Sequence, residues 1–273
     1  MKRRATSTET ALQRVTNGVD KPRPVARLRA KVKPTRGYAH VFHVLLSAVF
    51  PLFLYVLVRI ELTQVAVAIV LLSKWRMLAV RPRFWPAIFR ANAVDLLVSV
   101  STVLFMYQAT ATWAQVLWVV LLILWQVWLK PLKSTFGIAV QAIVGQLYGL
   151  LALYLTWPSA PLAVLVFGTG GVAYLAARHF LTGFDEPYAP LYANIWGFFA
   201  ASLGWVSGHW LLYYFGVAQP VLLLSVLGFS LGGLYYLQEH DKLSAYLRRQ
   251  IVVIMIAIVL VVLLVSDWGS KVI

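Results

Sequence analysis

The sequence predicts an all-α fold: a polytopic helical membrane bundle of about nine transmembrane helices, amino terminus cytoplasmic and carboxyl terminus outside. Three observations carry that expectation. Hydrophobic residues make up 61% of the 273 residues and charged ones 12%, with a mean hydropathy of +0.78, well above the range of soluble domains. The apolar runs are continuous, as in Ile251–Val265, and not alternating. In a medium without water such runs satisfy their backbone as helices, whereas barrel strands would alternate. Thirdly, the basic residues fall in alternate gaps. With spans at 43–60, 62–80, 93–109, 113–129, 136–156, 160–180, 189–215, 218–237 and 250–266, all but Arg59 and Lys271 of the 24 Lys and Arg lie on one side. Positive charge resists translocation, so that side is the cytoplasmic one. The localisation expected is an integral protein of a bacterial-type cytoplasmic membrane.

Residues 1–37 form the first of two regions, a basic cytoplasmic tail with eleven Lys or Arg against Glu9 and Asp20. It has too little apolar surface to offset chain entropy, so disorder is expected. It also has no aromatic residue, which argues against base stacking and nucleic acid as its partner. Its expected partner is the anionic lipid of the inner leaflet, each basic residue gaining about 1 kcal/mol there.

The bundle, residues 38–273, follows. The first two spans turn at Arg59–Thr63, and the second is shortened by Lys74 and Arg76. The gap 74–90 alternates Arg76, Arg81, Arg83 and Arg90 with Trp75, Phe84, Trp85 and Phe89, and Pro82 and Pro86 are expected to break any long helix. It reads as an interfacial segment. Asp95 then stands about three residues into the third span, as a helix N-terminal acid that Arg90 or Arg178 could pair. Trp113, Trp118 and Trp157 form an outer aromatic belt, and Trp85, Trp125 and Trp128 an inner one. Gly145/Gly149, Gly204/Gly208 and Gly228/Gly232 are G-x-x-x-G pairs, suited to close helix packing inside the chain or to a homo-oligomer or membrane partner. A shift of 62 residues aligns Pro158 with Pro220, Phe167 with Phe229 and Gly170-Gly171 with Gly232-Gly233, a candidate parallel repeat.

Most chemistry is excluded. There is no cysteine, Walker loop or H-E-x-x-H motif, so no cofactor and no metal is expected. Lys74 with Arg81-Pro82 fits the first signature of the phosphatidic-acid phosphatase type 2 family, and Ser207-Gly208-His209 resembles the end of its second. The topology sets those fragments on opposite sides and the third signature has no match, so that activity is rejected. Ser207 and His209 stand about 200° apart on a helix and cannot form a dyad.

Three functional expectations remain. The first is a small transporter or channel for a neutral or lipid-like substrate. In it Asp95 is the ion or proton site, and Gln141, Gln146 and His209 line the pathway. The second is a non-catalytic membrane subunit or assembly scaffold. The third is an intramembrane lipid-acting enzyme whose Lys74, Arg76, Arg81, Arg83 and His179 hold an anionic head group.

Overall fold

The structure, a computed structural model, describes residues 38–74, 81–209, 213–214 and 217–265. The basic tail, Arg76 and Trp75 lie outside the described residues. Contacts divide the chain into residues 1–46 and 47–273. Of the first unit the structure describes only the opening of α1, and all the packing below belongs to the second.

Among the described residues there are nine α-helices: α1 Tyr38–Arg59, α2 Thr63–Leu72, α3 Trp85–Gln108, α4 Thr112–Leu124, α5 Thr135–Thr156, α6 Leu162–Gly183, α7 Ala189–Gly208, α8 Gln219–Glu239 and α9 Ala245–Val265. A 3₁₀ turn, Pro82–Phe84, precedes α3, and a π-helical turn, Trp125–Leu129, extends α4. Strands β1, Tyr213–Tyr214, and β2, Val217–Ala218, pair antiparallel between α7 and α8. Among the described residues six segments are long and apolar enough to cross a membrane: 82–108, 112–129, 135–156, 162–183, 219–239 and 245–265. The chain is thus an all-helical bundle of membrane-spanning character.

Several boundaries differ from expectation. Pro82 and Pro86 do not break a helix; they occupy the first positions of the 3₁₀ turn and of α3, where a missing N–H costs nothing. The third helix therefore starts at Trp85, and Asp95 is its eleventh residue, not a first-turn acid. The second helix has 10 residues, about 15 Å at the helical rise and half of a hydrocarbon core. The seventh ends at Gly208 and not at 215, because the strand pair takes over at Tyr213.

The helices alternate in direction, which defines two ends. At the Gln115 end, the Gln115 amide donates to the carbonyls of Met106 (3.2 Å) and Ala109 (3.0 Å) and accepts from Arg59 (3.5 Å). That one side chain ties the end of α1, the end of α3 and the start of α4. At the Lys130 end gather the starts of α3, α5 and α7 with the ends of α4, α6 and α8.

The tightest packing is α6 on α7. A Cβ built on Gly170 would meet the Gly197 carbonyl oxygen at 3.0 Å, and one on Gly197 the Tyr174 Cβ at 2.9 Å. The expected G-x-x-x-G pairs are also used within the chain. Gly145 abuts Val94 and Gly149 Val172, each at 2.7 Å from the built Cβ, while Gly204 faces Thr169 at 3.3 Å and Gly208 faces Leu162. Without a hydrophobic drive between helices in lipid, such close approach supplies the dispersion contact. The glycines aligned by the 62-residue shift do not behave alike. Gly170 lies at a backbone crossing, but Gly232 meets only Phe180, at 3.7 Å, and borders open space.

Helix α9 packs chiefly on α8 and buries Val262 alone, leaving Leu264 80% exposed. A helix apolar all round is stable in that position when lipid covers it.

Candidate functional site

A cleft of about 450 Å³ opens between α5, α6, α7 and α8, where α8 stands off from α7. That volume lies within the roughly 300–1,000 Å³ of ligand sites. Ala142, Ala176, Ala177, Phe180 and Gly228 line its apolar wall, and the exposed Tyr192 and Phe229 also border it. Small residues on α5 and α6 make the room. A second glycine function appears here, since a Cβ on Gly228 would press on Gln146 Nε2 at 2.7 Å.

Polar groups are few and placed at two depths. In mid-bundle the Gln146 amide donates to the Leu224 carbonyl (2.8 Å) and accepts from the Trp196 indole (2.9 Å). Both side chains border the cleft and are locked by that pair of bonds. Nearby, Ser225 Oγ is buried without a hydrogen-bond partner in the protein. Buried hydroxyls are normally bonded, so the Ser225 hydroxyl keeps its hydrogen-bonding capacity within the cleft wall. At the Lys130 end the Tyr235 hydroxyl donates to Glu186 Oε2 at 2.5 Å. Glu186 reaches the cleft because Asp185 adopts a left-handed conformation, φ 54°, and the Glu186 N–H bonds back to the Leu181 carbonyl at 3.1 Å. That 6→1 bond closes α6 and folds the next residue over the helix end.

A second polar cluster lies on α3 and α4. Asp95 Oδ2 receives both Lys74 and Lys130, the latter at 2.9 Å, and Oδ1 accepts from the Trp125 indole at 3.0 Å. The predicted partners Arg90 and Arg178 are elsewhere; the Arg90 guanidinium donates to the Pro86 carbonyl at 3.0 Å. Lys74 follows the short α2 and reaches Asp95 on α3, whereas Arg90 is the sixth residue of α3 and Arg178 sits near the C-terminal end of α6. Trp125, 5% exposed, leaves the expected aromatic belt for this cluster. The lysines follow helix C-termini, where the macrodipole favours cations.

The remaining predicted residues are dispersed. Gln141 donates to the carbonyls of Leu129 (2.7 Å), Lys130 (3.3 Å) and Leu132 (3.1 Å) and accepts from His179 at 3.0 Å. It caps the end of α4 and does not line the cleft. His179 is accordingly turned to Gln141. Arg81 and Arg83 are exposed, Arg83 stacked 4.6 Å over the Phe84 ring. His209 follows the last residue of α7 at the Gln115 end, exposed and bonded to the Trp205 carbonyl at 2.8 Å. Only Gln146, of the four expected pathway residues, borders the cleft. Glu186, Tyr235, Trp196 and Ser225 were not foreseen, because each reads alone as a loop acid, a belt aromatic or a helix hydroxyl.

The capping role of Gln141 has a direct test. Gln141→Leu removes the amide whose two N–H groups serve the part-buried carbonyls of Leu129, Lys130 and Leu132, so the thermal unfolding midpoint in lipid nanodiscs should fall, corresponding to about 1–3 kcal/mol. An unchanged midpoint would mean that water takes over those bonds.

Comparisons of the chain with protein-family models, with curated proteins and with solved structures found no match.

Proposed function

We propose that the protein is a small membrane transporter whose lipid-like substrate occupies the α5–α8 cleft from the bilayer. The observation that carries this reading is the cleft itself, apolar-walled and bordered by the orphan Ser225 hydroxyl and the locked Gln146–Trp196 pair. Ligand sites combine those features: apolar walls for binding and a few fixed polar groups for orientation. The exposed lips, Tyr192 and Phe229, would face acyl chains, so entry is lateral. In this reading the Lys130 end is cytoplasmic by its basic residues, and the nine helices follow the alternation of those residues.

Transport is favoured over lipid chemistry by what holds the basic side chains. Lys74 is held by Asp95 and His179 by Gln141, so they do not gather around a phosphate. Asp95 is then a structural charge, neutralised by two lysines, and the moving or recognising groups belong to the cleft.

The test is movement across a bilayer. Full-length protein in liposomes should speed the exposure of a fluorescent single-chain amphiphile on the inner leaflet to an added membrane-impermeant quencher. Gly232→Leu should return that rate to the protein-free level. The Gly232 Cβ direction opens into the cleft, with its nearest neighbour the Phe180 ring at 3.7 Å, so the added side chain fills space without displacing backbone. If Gly232→Leu moves the amphiphile as fast as the parent protein, the cleft is not the pathway.

A further inference from the structure

We propose that the cleft selects a cationic amphiphile, with its ammonium head at Glu186 and Tyr235 and its tail running toward Ser225; this rests on the cleft being the substrate site. The charge argument comes first. Among the described residues both ion pairs fall on Asp95, so Glu186 carries none, although the chain has a formal net charge of +15. Its hydrogen bonds, from the Tyr235 hydroxyl and from the Tyr188 backbone N–H at 3.3 Å, leave carboxylate lone pairs open, since an ionised carboxylate accepts about four bonds. A second acid, Glu239, stands one turn beyond Tyr235 on α8.

The aromatic faces make the same choice. The Tyr235 ring meets Phe180 at 5.7 Å (70° between planes) and Phe184 at 5.4 Å (86°), and Tyr192 and Trp196 border the same cleft. Aromatic faces carry the negative lobe of the ring quadrupole, and ammonium groups bind to such faces beside a carboxylate. Anions find no complementary donor cation here, because Glu186 is the charged residue of the lining. From Tyr235 to Ser225 is ten residues of α8, about 15 Å of apolar wall at the helical rise. That length takes an extended alkyl tail and brings its end to the orphan hydroxyl and the Gln146–Trp196 pair.

The experiment compares three probes of one tail length, dodecyltrimethylammonium, dodecanol and dodecyl sulfate. Each is titrated below its micelle concentration into full-length protein in zwitterionic nanodiscs, with empty nanodiscs subtracted. The ammonium probe should bind at least about tenfold tighter than dodecanol, the scale of a desolvated cation on aromatic faces and a carboxylate. Glu186→Gln should erase that preference while dodecanol binding holds, and Glu186→Asp should keep it. Gly232→Leu should weaken all three. If dodecanol or dodecyl sulfate binds as tightly as the cation, and Gly232→Leu still weakens them, the cation assignment is overturned and the lipid-like site stands. If the cation preference survives Glu186→Gln, the head lies elsewhere and the assignment is likewise overturned. Binding that ignores Gly232→Leu would overturn the cleft as the site.

Discussion

Replacing Asp95 by asparagine lowers the stability of the full chain by about 3–5 kcal/mol, the scale for removing one partner of a buried ion pair. The carboxylate is 12% exposed and Lys74 19%, whereas Lys130 is 41% exposed. Lys130 can therefore turn its ammonium toward water along an apolar stem, and most of the loss comes from Lys74. Its charge would be left against α3 with no counter-ion and with the indole of Trp125 as a second donor. Two donors then face an amide that offers one oxygen. The sign of the cause is checked by a double substitution. On the Asp95→Asn background, Lys74→Met removes the stranded charge and should recover much of the stability, whereas on the parent background it should destabilise. Thermal or steric-trap unfolding in nanodiscs reads all four proteins, and the coupling follows from the cycle. A loss under about 0.5 kcal/mol, the size of an ordinary surface change, would mean that the cluster is solvated and the ion pairs are incidental.

The second large effect is at Gly197. Its built Cβ lies 2.9 Å from Tyr174 Cβ and 3.1 Å from the Gly170 carbonyl oxygen, and neither belongs to the mobile end of a side chain. Gly197→Ala must separate α6 from α7 by some tenths of an ångström, costing about 1–3 kcal/mol as core overpacking does. Gly197→Leu should abolish the native bundle, seen as loss of monodisperse protein after extraction. The matched control is Gly171→Ala on the facing helix, where nothing lies within 4 Å. That change should stabilise by about 0.5–1 kcal/mol, the helix-interior cost of glycine. Equal behaviour of the two alanine variants would sink the claim that α6 and α7 are set by backbone approach.

These two sites also show what could be read before the fold. Spaced glycines were legible: Gly145, Gly149, Gly204 and Gly208 all meet a neighbouring helix, as removal of side chains one turn apart predicts. Gly197 stands outside that pattern because its neighbours at four residues are alanines, Ala193 and Ala201. Small residues of any kind permit the approach, so the pattern that matters includes alanine. Hydropathy overstates the length of α2 because Met77 to Val80 continue the apolar run past Lys74, and it does not register where a helix stops. The helix ends at Leu72, where the Ser73 hydroxyl bonds the Val70 carbonyl at 2.6 Å. Glu186 taken alone reads as a loop acid, since a neighbour 49 positions away, Tyr235, leaves no local trace. The cleft is of the same kind. It is a gap between helices, and no periodicity within one helix encodes where two helices part.

One residue of surplus chain decides how α4 ends. The buried positions Gln115, Val119, Leu122 and Trp125 follow the ordinary helical repeat along one face. Five residues further on, an unbroken α-helix would carry Lys130 about 140° away from Trp125. The wide turn closes instead with the Lys130 N–H on the Trp125 carbonyl at 2.8 Å, and both side chains reach the two oxygens of Asp95. The extra residue works as a change of phase: the helix keeps one numbering for the core and starts another for its charged end. A relative of this protein without that residue would have to carry its lysine one position earlier, at the place of Leu129, to reach the same carboxylate. Insertions and deletions within 125–129 are therefore, beside substitutions of Lys130 or Asp95 themselves, changes by which this contact is gained or lost as the sequence diverges.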